Sequence, residues 1–126
     1  MLTIDLDDFN RVNARYGHQE GDRVLQLVCQ LLLMSLRRHD LLCRLAGDRF
    51  AVVLPNTLEE QAQTMARELS QSIAHLACRS AQQGERIVLS ATVVAVMARQ
   101  DDAESLLQRS NLAMAHAKQA LLLKRA

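Results

Sequence analysis

The pattern of apolar and polar positions divides the chain into eight elements. Met1 to Asp5 is a short strand-like run that ends in acids. Asp7 or Asp8 can cap a short helix through Tyr16, which Gly17 closes. From Glu20 to Arg38 the residues Val24, Leu25, Leu27, Val28, Leu31, Leu32 and Leu36 form a wide apolar face and predict a long helix. Two apolar runs, Leu41 to Leu45 and Phe50 to Leu54, flank a Gly-containing tip and predict a hairpin. Pro55 ends the second strand. Thr57, with Glu60 three residues on, predicts a capped helix to about Ala81 through Ala62, Met65, Ala66, Leu69, Ile73 and Leu76. Gln82-Gln83-Gly84-Glu85 reads as a loop, and Ile87 to Met97, rich in Val, Ile and Thr, as a strand. Asp101 or Asp102 caps a last helix to about Lys118 or beyond, with basic residues in its final turns. The order β-α-α-β-β-α-β-α predicts an α+β fold, with helices covering a mostly antiparallel sheet.

Composition narrows the function without choosing it. The 126 residues suit a single domain with a single core. With 49% apolar and 23% charged residues the chain is an ordinary globular sequence. A net charge of +1 gives no field favouring DNA, RNA or a membrane surface. Phe9, Phe50 and Tyr16 are all its aromatics, too few for a base-stacking platform. Cys29, Cys43 and Cys78 are widely spaced without ligand spacing, and are expected to be small buried thiols in a reducing cytosol. No apolar run reaches the roughly 18 residues of a membrane span, and the expected location is cytoplasmic. Because the chain opens directly on a strand, it is expected to be a piece of a larger multidomain protein.

The chemistry gathers at strand ends. Ala46-Gly47-Asp48-Arg49-Phe50 is a polar hairpin tip with one acid where a paired-acid turn would carry two. If the first strand neighbours the hairpin, Asp5 and Asp48 converge at one sheet edge, and paired carboxylates can bind Mg²⁺, which in turn holds phosphates. Taken alone, each Asp is more often a cap or turn residue. Asn13 and Asp22 flank Gly17 to Gly21. An amide and a carboxylate can pair with guanine, or they can simply end one helix and start the next. Arg37 and Asp40, three apart at a helix end, face the same way. They are either a solvated ion pair, worth under about 1 kcal/mol, or a clamp in which Arg forks onto phosphate or a guanine edge and Asp receives guanine donors.

Taken together, these motifs resemble the GGDEF (diguanylate cyclase) family over nearly the whole chain. Asp5-Leu6-Asp7-Asp8-Phe9-Asn10-Arg11-Val12-Asn13 is similar to its DxDxFKxxND, and Gly17-His18-Gln19-Glu20-Gly21-Asp22 to its GHxxGD. Arg37-Arg38-His39-Asp40 stands five residues before Ala46 to Phe50, the family's spacing between its inhibitory RxxD and GGDEF. Leu54-Pro55-Asn56-Thr57 is like LPxT, and Ala113 to Lys118 like ALYxAK. The resemblance implies a palm-like fold similar to adenylyl cyclases, and in active members the condensation of two GTP into cyclic di-GMP across a dimer with Mg²⁺. It implies Asp5, the Leu6 carbonyl and Asp48 as metal ligands, and Asn13 and Asp22 as guanine readers. It places Lys118 on the triphosphate, and Arg37 and Asp40 in a product-binding inhibitory site.

The same comparison exposes departures. Ala46 replaces the first Gly, which the close approach to phosphate and unusual dihedrals would favour. Arg49 replaces an acid, changing the local charge by about two units beside a dication. Asn10 stands in place of a phosphate-contacting Lys, and Ala14 in place of Asp. Ser90-Ala91-Thr92 replaces SxG, and Gln119 to Leu123 replaces a Gly-Arg-Asn turn. The family's LTGLxNR segment is absent from the sequence. The expectation is a degenerate domain with no intact catalytic set, binding cyclic di-GMP through Arg37 and Asp40. The alternatives are a GTP-binding regulator of a neighbouring domain such as an EAL phosphodiesterase, a structural or dimerising module, and an active cyclase. A domain lacking its N-terminal segment could cover its sheet with a partner chain or a second copy. Mg²⁺ is expected only if GTP binds.

Overall fold

The computed structural model describes residues 1–76, 78–80, 84–100 and 102–125. Four strands, β1 (Leu2–Leu6), β2 (Leu41–Ala46), β3 (Arg49–Val53) and β4 (Ala91–Ala95), form one antiparallel sheet in the order β2-β3-β1-β4. Four helices follow the predicted order: α1 (Phe9–Tyr16), α2 (His18–Ser35), α3 (Glu59–Ala74) and α4 (Ala103–Arg125). Strand alternation assigns the two faces. Leu2, Ile4 and Leu6, with Phe50 and Val52, pack under α1, α2 and α3 and build the main core with Val24, Val28, Leu32, Leu69 and Ile73. The opposite face carries Thr3, Asp5, Arg49 and Ala51. Over β1 and β4 it is covered by α4, whose Ser110 and Met114 are fully buried. Over β2 and β3 that face leaves Leu41, Cys43 and Leu45 exposed.

Several boundaries move for local reasons. Neither Asp7 nor Asp8 caps α1 with its side chain. Asp8 takes a left-handed φ of 53°, and Arg11 N–H closes the first turn on the Asp8 carbonyl at 2.9 Å. Gly17 does close α1, at a φ of 91° that favours glycine. α2 stops at Ser35 rather than Arg38, because the Asp40 carboxylate captures the Arg37 N–H at 2.8 Å. The α3 cap falls one residue later than predicted. Gln61 Oε1 accepts from Leu58 N–H at 3.1 Å, while Thr57 Oγ1 donates to the Pro55 carbonyl at 2.9 Å.

α3 ends at Ala74, short of the predicted Ala81, which lies outside the described residues. Beyond it Cys78 to Ser80 pair with Glu85 to Ile87 in a small hairpin that Gly84, at φ 67°, helps to turn. The predicted strand from Ile87 to Met97 is regular only over 91–95, because Ile87 is drawn into that hairpin. Of the predicted loop, Gln82 and Gln83 lie outside the described residues, as does Asp101. Asp102 Oδ1 accepts from Ser105 N–H at 2.8 Å and caps α4 as expected. Cys78 is buried and Cys29 half-buried, but Cys43 is exposed, contrary to the expectation of three buried thiols.

Candidate functional site

The hairpin tip is tighter than its sequence suggests. Ala46 pairs with Arg49, leaving Gly47 and Asp48 as a two-residue loop, with a bulge between Arg44 and Ala46. Ala46 is not among the non-glycine residues with positive φ, so its methyl group brings no backbone strain. Arg44 folds back and donates from Nη2 to the Gly47 carbonyl at 2.7 Å. Leu6 N–H donates to the Asp48 carbonyl at 3.1 Å, which ties the tip to β1.

This pairing puts Arg49 on β3, directly opposite Asp5 on β1. Its Nη2 and Nε donate to Asp5 Oδ2 at 2.9 and 3.2 Å, and its Nη1 to Asn111 Oδ1 of α4 at 3.1 Å. Asp5 and Asp48 do line one cavity, of ≈ 370 Å³, together with Arg49, Asn111, Leu45, Ala46 and Leu107. Lys118 points to the same edge from α4. Its Nζ bonds the Asp7 carboxylate and lies 3.8 Å from Asp5 Oδ1. Asp7 also accepts from Ser90 Oγ at 2.9 Å and from Thr92 Oγ1 at 2.7 Å. Burial opposes its ionisation, yet the bonds from Lys118, Thr92 and Ser90 outweigh that and hold its carboxyl below the usual carboxylate range.

Three acids and two bases therefore leave this edge with a formal charge of −1 (Asp5, Asp7 and Asp48 against Arg49 and Lys118). Among the described residues no three His, Cys, Asp or Glu side chains gather as a metal would need. Both oxygens of Asp5 face side-chain cations. The donor set does not fit Mg²⁺, which demands near-octahedral oxygen ligation at about 2.0–2.1 Å.

A second candidate lies between α2 and the hairpin. Asp22 stands at a cleft of ≈ 630 Å³ walled by Leu25, Cys29 and Leu33 of α2 and by Leu42, Arg44 and Phe50. Asn13 does not line it. Its side chain lies against Gly21 so closely that a Cβ there would come 1.8 Å from Asn13 Oδ1. Asn13 does not end its helix: it lies inside α1, which runs to Tyr16, and its carbonyl accepts from Gly17 N–H at 2.9 Å; nor does Asp22 start α2, which begins at His18.

The third candidate is the turn from Arg37 to Asp40. Asp40 Oδ2 accepts from Arg37 N–H at 2.8 Å and from Nε at 3.0 Å, and Oδ1 accepts from Nη2 at 3.0 Å. Arg37 Nη2 also donates to Thr57 Oγ1 at 2.6 Å. The Asp40 side chain is 1% exposed and that of Arg37 52%, so the carboxylate lies beneath an accessible guanidinium. Burial favours the neutral acid, but the Arg37 bonds outweigh it and hold the Asp40 carboxyl below its ordinary range. A cleft of ≈ 790 Å³ opens here between Arg37, Arg38, His39, Asp40, Pro55 and Asn56.

Sequence reasoning missed Asn111, Thr92, Thr57 and the role of Asp7. Asn111 stands seven residues before Lys118, two helical turns along one face, which is a readable signal. Thr92 is opposite Asp5 across β1 and β4, a register that no local pattern reveals.

An antiparallel α+β palm with acids at the end of its central strand and at a hairpin tip defines a class of nucleotide-handling domains. The profile described as the diguanylate cyclase GGDEF domain matches residues 1–121, and the chain belongs to the GGDEF family. It is 30% identical over 121 residues to the diguanylate cyclase DgcP of Pseudomonas aeruginosa, covering 95% of this chain and 18% of that protein. It is 31% identical over 120 residues to the cyclic di-GMP phosphodiesterase NbdA of the same organism, covering 94% of this chain and 15% of that protein. The chain thus spans less than a fifth of these relatives. Among solved structures, the diguanylate cyclase SiaD of P. aeruginosa, in complex with its activator SiaC, superposes with a TM-score of 0.88 at 29% identity, over 94% of this chain and 45% of that one. The GGDEF domain of YfiN from P. aeruginosa gives 0.87 at 32% identity, over 94% and 74%. No helix among the described residues is long and apolar enough to cross a membrane.

Proposed function

We propose that this GGDEF domain acts in cyclic di-GMP signalling as a receptor module of a larger protein. In this reading it binds cyclic di-GMP at the Arg37–Asp40 turn and makes little or none of it. One observation carries the reading: the RxxD turn is intact beside an open cleft, while Arg49 and Lys118 fill the acid cluster where catalysis would need a metal. The cleft lies within the roughly 300–1,000 Å³ typical of small-molecule sites. Arg37 can leave Asp40 and fork onto a phosphate or a guanine edge. Phosphoryl transfer depends mostly on metal positioning and charge stabilisation. A cation in place of an acid, with Asn10 in place of Lys, removes much of both.

Calorimetry with cyclic di-GMP should show binding that Arg37→Ala abolishes. No heat at tens of micromolar ligand would refute the reading. Incubation with GTP and Mg²⁺ followed by nucleotide chromatography should show turnover several powers of ten below that of an intact family member.

The seat of Asn13 on Gly21, next to Asp22 though outside the cleft that Asp22 lines, supports a second reading in which GTP binds at Asn13 and Asp22 and regulates a neighbouring domain. GTP binding that Asp22→Ala removes would select it. A domain that binds neither nucleotide would be a structural or dimerising module.

A further inference from the structure

We infer that Arg49 replaces the divalent cation at this sheet edge: it is a tethered counter-ion that neutralises Asp5, clamps α4 through Asn111, and makes the edge indifferent to Mg²⁺ or Mn²⁺. The register places Arg49 opposite Asp5 on neighbouring strands, so the guanidinium reaches the carboxylate without leaving the sheet face. Two of its nitrogens meet one oxygen of Asp5, and the third meets Asn111 of α4. Lys118 lies 3.8 Å from the other Asp5 oxygen. A divalent ion at Asp5 would have to displace the guanidinium, which stays covalently attached one peptide from Asp48. The ion would then share the cavity with a positive charge. The edge loses its attraction for a metal and gains a link among β1, β3 and α4 that no free ion has to supply. With Asp5 and Asn111 holding Arg49, and Asp7 holding Lys118, neither base is open to a metal-bound triphosphate. This shares with the proposed function only the premise that the edge does not turn over GTP. Cyclic di-GMP binding at Arg37 stands or falls separately.

Manganese is the probe. The electron-paramagnetic signal of aqueous Mn²⁺ should be unchanged by the wild-type protein up to millimolar ion, and melting temperature should be the same in Mn²⁺ and in EDTA. Arg49→Glu should take up one Mn²⁺ per chain and melt higher with the ion than without it. Arg49→Gln should melt lower than wild type in EDTA. Stoichiometric Mn²⁺ uptake by the wild type that Asp5→Asn abolishes would overturn the inference. So would a folded Arg49→Glu protein that binds no Mn²⁺, or an Arg49→Gln protein as stable as wild type. If Arg49→Glu does not fold, the wild-type titration and Arg49→Gln still decide.

Discussion

Replacing Asp40 with Ala tests whether the Arg37–Asp40 turn is built into the fold or only decorates it. The carboxylate is buried and accepts the Arg37 N–H at 2.8 Å, the bond that ends α2 at Ser35. A hydrogen bond to a charged group is worth about 1.5–3 kcal/mol when its partner would otherwise be stranded. The guanidinium bonds add little, because Arg37 is half-exposed and water replaces them. Asp40→Ala should therefore destabilise the domain by about 2 kcal/mol, or about 8 °C for a chain of this size. Thermal melts at neutral pH, followed by circular dichroism, measure it.

The pH dependence gives a second check. Arg37 holds the folded-state carboxyl of Asp40 below 3.8 despite burial, so its contribution is complete above that value and is lost as pH falls through the lower folded-state value. The stability gap between wild type and Asp40→Asn should be flat from neutral pH down to about 4 and close in more acidic solution. An Asp40→Ala protein that melts within a degree of wild type, or a gap that widens on acidification, would refute this account of the turn.

Other positions give sharper single outcomes. Among the described residues Thr3 Oγ1 and Ser110 Oγ are buried without a hydrogen-bond partner, so Thr3→Val should raise stability by about 1 kcal/mol in urea unfolding; a lower midpoint would show that the hydroxyl is satisfied after all. Gly21→Ala gains up to about 1 kcal/mol of helix propensity but forces Asn13 aside, so stability should change little while any GTP binding at the Asp22 cleft is lost; undiminished GTP affinity would separate Asn13 from that site. Leu69→Ala, at a fully buried position of α3, should cost about 3 kcal/mol by denaturant titration, and a loss below about 1 kcal/mol would mean that the core collapses to fill the gap. Arg49→Glu alone should not restore GTP turnover, because Asn10 and the Gln119 to Leu123 run are unchanged; cyclic di-GMP detected by chromatography would show that Arg49 was the whole block.

Element order and type were legible because each depends on local pattern. The apolar face of α2, the Gly17 break and the hairpin around Gly47 all declare themselves within a few residues. The misplaced boundaries share a different cause. Ile87 and Val88 have strong strand character, but Ile87 N–H is claimed by the Cys78 carbonyl, and the regular ladder begins only at Ala91. Thr57 is a good cap residue whose hydroxyl is spent on Pro55 and Arg37. Among the site residues, spacing placed Asp5 and Asp48 together correctly. It could not show that Arg49 belongs to the strand rather than the loop, because that depends on a bulge two residues before Gly47 and on the pairing of Ala46 with Arg49.

Two of the three candidate sites contain an Arg–Asp pair, and the difference between them bears on which can answer a ligand. Arg49 and Asp5 are 44 positions apart, and their bond joins two strands and, through Asn111, a helix. Releasing Arg49 to a phosphate would loosen the seat of α4 and leave Asp5, 14% exposed, with only a distant Lys118. Arg37 and Asp40 are three positions apart; when the guanidinium swings away it gives up its bond to Thr57 and uncovers the Asp40 carboxylate, 1% exposed, but the turn keeps its backbone bond from Arg37 N–H to Asp40. Both guanidiniums carry a tertiary contact, but that of Arg37 is one exposed hydroxyl bond to Thr57, whereas Arg49 joins β1, β3 and α4. Within the proposed receptor reading, this asymmetry favours the Arg37 turn over Arg49 as the group that exchanges Asp40 for a ligand anion.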